Sequence, residues 1–76
     1  MDGIRQIGKN IRKYRIKKGL TQLDLAVGCG FDESAIGRLE NGNTNPTVKT
    51  LLKVAKALDV KLTDLVKIKN KIILPK

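Results

Sequence analysis

At three points along this chain a glycine stands where a run of helical periodicity gives out: Gly19, Gly30 and Gly42. Glycine adopts the left-handed backbone that ends helices at little cost. The chain is thereby cut into helices too short to be stable singly, so they must share one core. With 76 residues there is room for one domain. A domain of this size buries only about 60% of the surface its unfolded chain exposes. The core must therefore be assembled economically from apolar stripes.

The first stripe is Ile4, Ile7, Ile11 and Tyr14, spaced by three and four within a helix expected over residues 3–18. Asp2 is its candidate N-cap, and Gly8 weakens it by roughly 1 kcal/mol relative to alanine. Lys17 and Lys18 suit the negative end of its dipole. Thr21, with Asp24 three residues on, reads as the capping box of a second helix whose inner face is Leu25, Ala26 and Cys29. Gly28-Cys29-Gly30 ends it. Asp32 is the candidate N-cap of a third helix, with Phe31 placed to staple onto Ile36, and Asn41-Gly42 closes it. Thr47 caps a fourth helix carrying Val48, Leu51, Leu52, Ala55 and Leu58, and Asp59-Val60 breaks it. Leu62, Leu65 and Val66 suggest a short fifth helix. The expected fold is thus all-α with five helices over residues 1–66, followed by a basic, apolar tail at 67–76 that reads as extended.

Composition removes much chemistry. There is no histidine, hence no Ser-His-Asp or Cys-His centre. One cysteine makes neither an internal disulfide nor a zinc site, and points to a reducing cytoplasm. No phosphate-binding glycine loop and no cofactor or small-molecule motif is evident, so an enzyme is not expected. No apolar run reaches the roughly 20 residues of a membrane span, and no signal peptide is visible. The net charge is +9, unevenly placed. Arg5, Lys9, Arg12, Lys13, Arg15, Lys17 and Lys18 against Asp2 give residues 1–18 a net +6. Residues 19–66 hold five cations and six acids, and the tail adds four lysines. Such a balance favours a polyanionic partner.

Two short helices joined by a tight glycine turn, the second one capped, are the sequence form of a helix-turn-helix. On a wheel of about 100° per residue, Ala35, Ile36 and Leu39 fall on one arc of the third helix, and Glu33, Ser34, Gly37 and Arg38 on the other. The first arc is apolar and docks on the body. The second is left free, in the position from which such a helix enters a DNA major groove.

Gln22-Leu23-Asp24-Leu25-Ala26, Gly30, Ile36 and Leu39-Glu40-Asn41-Gly42 resemble the helix-turn-helix of the lambda-repressor-like (Cro or Xre type) DNA-binding domains. Leu52, Ala55-Lys56-Ala57-Leu58-Asp59-Val60 and Leu65 resemble the fourth and fifth helices of the same family. The likeness covers about residues 4–66. It implies a compact five-helix domain that binds double-stranded DNA, usually as a homodimer on a two-fold-related site. Carried over position by position, it implies base contacts from Glu33, Ser34, Gly37 and Arg38. Of these Arg38 is best suited, because a guanidinium can donate twice to guanine O6 and N7. Glu33 could equally be a helix-dipole partner, Ser34 a plain exposed serine and Gly37 a weak helix position. Phosphate contacts are implied for Gln22, Asn41, Asn43 and Thr44, and a structural ion pair for Arg15 and Glu40. Lys61 stands where the family often has a Ser or Thr N-cap, so the fifth helix is expected to start late or fray.

Cys29, Tyr14 and Phe31 read as core rather than as reactive or base-stacking residues. The competing reading is a protein-interaction module of the same fold, using Ile72-Ile73-Leu74 of the tail to pair with a partner or a second copy. Membrane-surface binding by the first helix conflicts with its isoleucine stripe being needed for the core.

Overall fold

A computed structural model describes residues 2–68, and the tail segment Ile72-Ile73-Leu74 lies outside them. Among the described residues there are five α-helices and no strand. They are α1 (Asp2–Lys17), α2 (Gln22–Cys29), α3 (Glu33–Asn41), α4 (Val48–Leu58) and α5 (Leu62–Val66). The expected helices all form, each bound within a residue or two of its expected place. Gly19, Gly30 and Gly42 have φ of 74°, 73° and 73°, so each helix stop uses the left-handed backbone that glycine permits. Asp59 makes the same turn after α4 at φ 56°, which aspartate tolerates better than most side chains.

Ile11, Leu25, Ile36, Val54, Leu58 and Leu65 are fully buried, so every helix contributes to one core. Ile7, Tyr14, Leu20, Phe31 and Leu62 pack around it. Cys29 is buried, and desolvation pushes its thiol above the usual range, as befits a core residue. The α4 stripe departs from expectation. Val54 is buried, whereas Val48 and Leu52 are 63% and 51% exposed. The neighbouring helices cover α4 from the Leu51-Val54-Leu58 side, which leaves one edge of the apolar stripe in solvent.

Three local expectations need correction. Asp32 occupies the N-cap of α3 but its side chain makes no capping bond; its backbone carbonyl alone accepts from Ala35 and Ile36. α5 does start at Leu62 without a Ser or Thr cap, and Asp64 compensates by accepting the Lys61 N–H at 3.1 Å. Gly8 is more than a weak helix position. A Cβ there would lie 2.4 Å from the Leu39 carbonyl oxygen and 2.7 Å from that of Glu40. The missing side chain is what lets α1 cross so close to the last turn of α3.

Asn10 plays a part that its sequence context does not announce. Its amide donates to the Leu65 and Lys67 carbonyls, both at 2.8 Å, and its oxygen accepts from Gln6 at 3.0 Å. It satisfies carbonyls at the end of α5 and holds that helix against α1.

Candidate nucleic-acid interface

The interface is built on the α2–turn–α3 unit. Thr21 Oγ accepts from the Asp24 N–H at 3.0 Å, and Asp24 Oδ2 accepts from the Thr21 N–H at 2.9 Å. This reciprocal pair, which also holds the Asp24 carboxyl below its ordinary range, fixes Gln22 as the first residue of α2. At the other end, the N–H of Gly30 donates to Ala26 and Val27, and the N–H of Phe31 to Ala26 at 2.8 Å. Half-buried Phe31 then seats the start of α3 on the core.

α3 has two faces, as its wheel requires. Ile36, Leu39 and Glu40 are buried and Ala35 is half-buried. Glu33, Ser34 and Arg38 are exposed, and so are Asn41 and Asn43 in the segment that follows. Gly37 and Thr44 are half-buried. The Gln22 side chain leans over Gly37, with Oε1 3.8 Å from where a Cβ on Gly37 would stand. At the helix end, the N–H of Gly42 caps Arg38 and Leu39, and the N–H of Asn43 donates to the Arg38 carbonyl at 2.9 Å. Asn43 therefore offers an outside partner its side chain and not its backbone N–H.

Behind this surface lies a buried ion pair. Arg15 Nε donates to Glu40 Oε2 at 2.6 Å, Nη2 to Oε1 at 3.0 Å and Nη1 to the Leu20 carbonyl at 2.8 Å. Arg15 and Glu40 are 8% and 6% exposed. The hydrogen bond to Glu40 raises the Arg15 pKa above its already high value, against the opposing effect of burial. Glu40 Oε1 also accepts from Gln22 Nε2 at 3.1 Å and lies 3.9 Å from Arg12 Nη1. One carboxylate thus joins α1, the start of α2 and the end of α3. Part of the Gln22 amide is committed to Glu40, a restraint that residue order does not announce. Among the described residues no group of His, Cys, Asp and Glu could hold a metal, and no helix is long and apolar enough to cross a membrane.

A capped short helix, a glycine turn and a second helix with a polar outer flank define a helix-turn-helix protein. A family model described as helix-turn-helix (HTH_3) matches residues 11–65, and the chain belongs to that family. An uncharacterised HTH-type transcriptional regulator of Sinorhizobium fredii, y4dJ, is 41% identical over 66 residues, covering 87% of this chain and 86% of that protein. The HTH-type transcriptional regulator SlrR of Bacillus subtilis is 45% identical over 60 residues, although these make up only 40% of it. Among solved structures, the restriction-modification controller protein C.AhdI of Aeromonas hydrophila superposes with a TM-score of 0.79 at 37% identity, over 82% of this chain and 94% of that one. The chain is a transcriptional regulator with a helix-turn-helix DNA-binding fold of the lambda-repressor type, not an enzyme.

Proposed function

We propose that this regulator binds a specific double-stranded DNA site as a homodimer, with α3 in the major groove. The observation that carries the reading is the division of α3 into a buried arc and a free one, with Glu33, Ser34 and Arg38 exposed on a rod held by Ile36, Leu39 and the Arg15–Glu40 pair. Arg38 reads a guanine, Glu33 can accept from a cytosine amino group, and Ser34 bonds a base edge. Gly37 leaves room for close approach. Gln22 and the side chains of Asn41, Asn43 and Thr44 contact phosphates and set the register. A dimer is supported by apolar side chains left open on α4, at the end of α5 and just beyond it: Val48, Leu52, Val66 and Ile68. We assign the stretch 67–76 the role of adding to this seam or recruiting a protein partner. The lone buried thiol of Cys29 suits a reducing cytoplasm, with the protein on the nucleoid when bound.

Selection of bound duplexes from a random pool tests the reading. The expected result is a pseudo-palindrome with half-sites about one helical turn, or a multiple of it, apart. Recovery of no shared sequence would refute specific recognition, and an asymmetric single half-site would refute the homodimer.

A further inference from the structure

The positive charge of this chain is not on its helix-turn-helix. Residues 19–66 carry five cations and six acids, and α3 has Asp32 at its N-cap and begins with Glu33. A surface so nearly neutral gains little from a polyanion, yet phosphate neutralisation supplies most of the affinity of non-specific DNA binding. The charge must come from another element placed beside it, and α1 has the required geometry.

Arg5, Lys9 and Arg12 lie within about 60° of one another on the α1 wheel, next to Gly8, which abuts α3. All three are exposed, and the Arg12 side chain is 59% exposed. The row follows the end of α3. At one extremity, Arg5 packs on Gly42, where an added Cβ would meet Arg5 Cγ at 3.0 Å, beside the Asn41–Thr44 segment. At the other, Arg12 Nη1 and Gln22 Nε2 approach the same oxygen, Glu40 Oε1, at 3.9 and 3.1 Å. A phosphate within reach of Gln22 is therefore within reach of Arg12. From Arg5 to Arg12 the row is about 10 Å long at 1.5 Å per residue. A DNA strand presents a phosphate every 3.4 Å of axis, so the row can serve two or three.

We infer that Arg5, Lys9 and Arg12 form a phosphate-binding track, which extends the contact surface of α3 onto α1 and grips the DNA backbone flanking the major groove. The inference rests on the proposed DNA-binding mode and adds a surface to it. The track supplies affinity independent of base sequence, while α3 supplies choice of site.

The test compares two variants of the full chain that lose equal charge. One is Arg5→Gln/Lys9→Gln/Arg12→Gln; the other is Lys13→Gln/Lys17→Gln/Lys18→Gln, on exposed positions of α1 and its end that are off the row. Affinity for the pool-selected duplex is measured from 50 to 200 mM salt. At about 0.9 per phosphate, loss of three contacts lowers the slope of log K against log salt by about 2.7, so the fourfold salt increase weakens binding about 40-fold less than in wild type. The off-row variant should change the slope by less than 1, and neither should change which sequence is preferred. Equal slopes for the two variants would overturn the track, since charge alone would then explain the effect. The single variant Lys9→Gln, expected to lower the slope by about 0.9, serves should the triple variant melt early. If wild type selects a site and the slopes match, the track alone fails; if wild type binds no duplex, the proposed function fails and takes the track with it.

Discussion

Glu40→Gln changes one atom and should cost a large part of the stability of this domain. The carboxylate is 1% exposed and holds Arg15 through bonds of 2.6 and 3.0 Å. The amide keeps one acceptor but turns an NH2 group toward a guanidinium that has nothing to accept with. Arg15, itself 8% exposed, keeps one amide oxygen and the Leu20 carbonyl at 2.8 Å, but loses its counter-charge and one acceptor. Breaking one side of a buried pair costs about 3–5 kcal/mol, because a charge stays buried without its counterpart. At 0.05–0.15 kcal/mol per residue, the whole domain is stable by only about 4–11 kcal/mol. At roughly 4–8 °C per kcal/mol the melting temperature falls by roughly 12–40 °C. The assay is thermal unfolding followed by far-ultraviolet circular dichroism. The double variant Arg15→Met/Glu40→Leu, which removes both charges, should recover at least half of the loss. A Glu40→Gln cost under about 1 kcal/mol, or a double variant as unstable as Arg15→Met and Glu40→Leu added together, would refute the claim that this pair is a buried, mutually dependent unit.

Two further outcomes follow from the fold. Gly8→Ala gains up to about 1 kcal/mol of helix propensity. It also places a Cβ 2.4 and 2.7 Å from two backbone oxygens of α3. Crowding of this kind costs about 1–3 kcal/mol, so the variant should melt below wild type, whereas Gly3→Ala, with nothing within 4 Å, should not. Asp24 has its folded pKa held below 3.8 by its bond to the Thr21 backbone. Its contribution is therefore present above the unfolded pKa and lost as pH falls through the folded one. The difference in urea midpoint between wild type and Asp24→Ala should be open at pH 7 and narrow as pH falls below 3.8; a gap independent of pH would show that the carboxylate charge plays no part in the cap.

What could be read in the sequence was what is decided locally. Thr21 with Asp24, Thr47 before α4, and the three helix-ending glycines act within a few residues, and each forms as its neighbours dictate. The two-faced character of α3 was legible for the same reason, since a wheel needs only the order of residues. Long-range decisions were not. Which side of α4 is buried depends on where the other helices lie, so periodicity alone points to Val48 and Leu52, whereas the core takes Val54. Gly8 looks like a flaw in α1 until the carbonyls of α3 are seen against it. Asn10 carries no local signal, because its partners are 55 and 57 residues away. The family resemblance supplied Arg15 with Glu40, but not the bond from Gln22 to the same carboxylate, nor the approach of Arg12 that brings α1 to the edge of the interface.

Recognition of a DNA site by the exposed flank of α3 is tested most directly by Arg38→Ala. Binding of this variant should be measured on the selected duplex, on versions altered one base pair at a time, and on unrelated DNA. A bidentate arginine contact contributes about 1–3 kcal/mol of discrimination, so preference at one base pair should fall roughly 5- to 150-fold while affinity for unrelated DNA is nearly unchanged. Undiminished discrimination at every position would contradict the account.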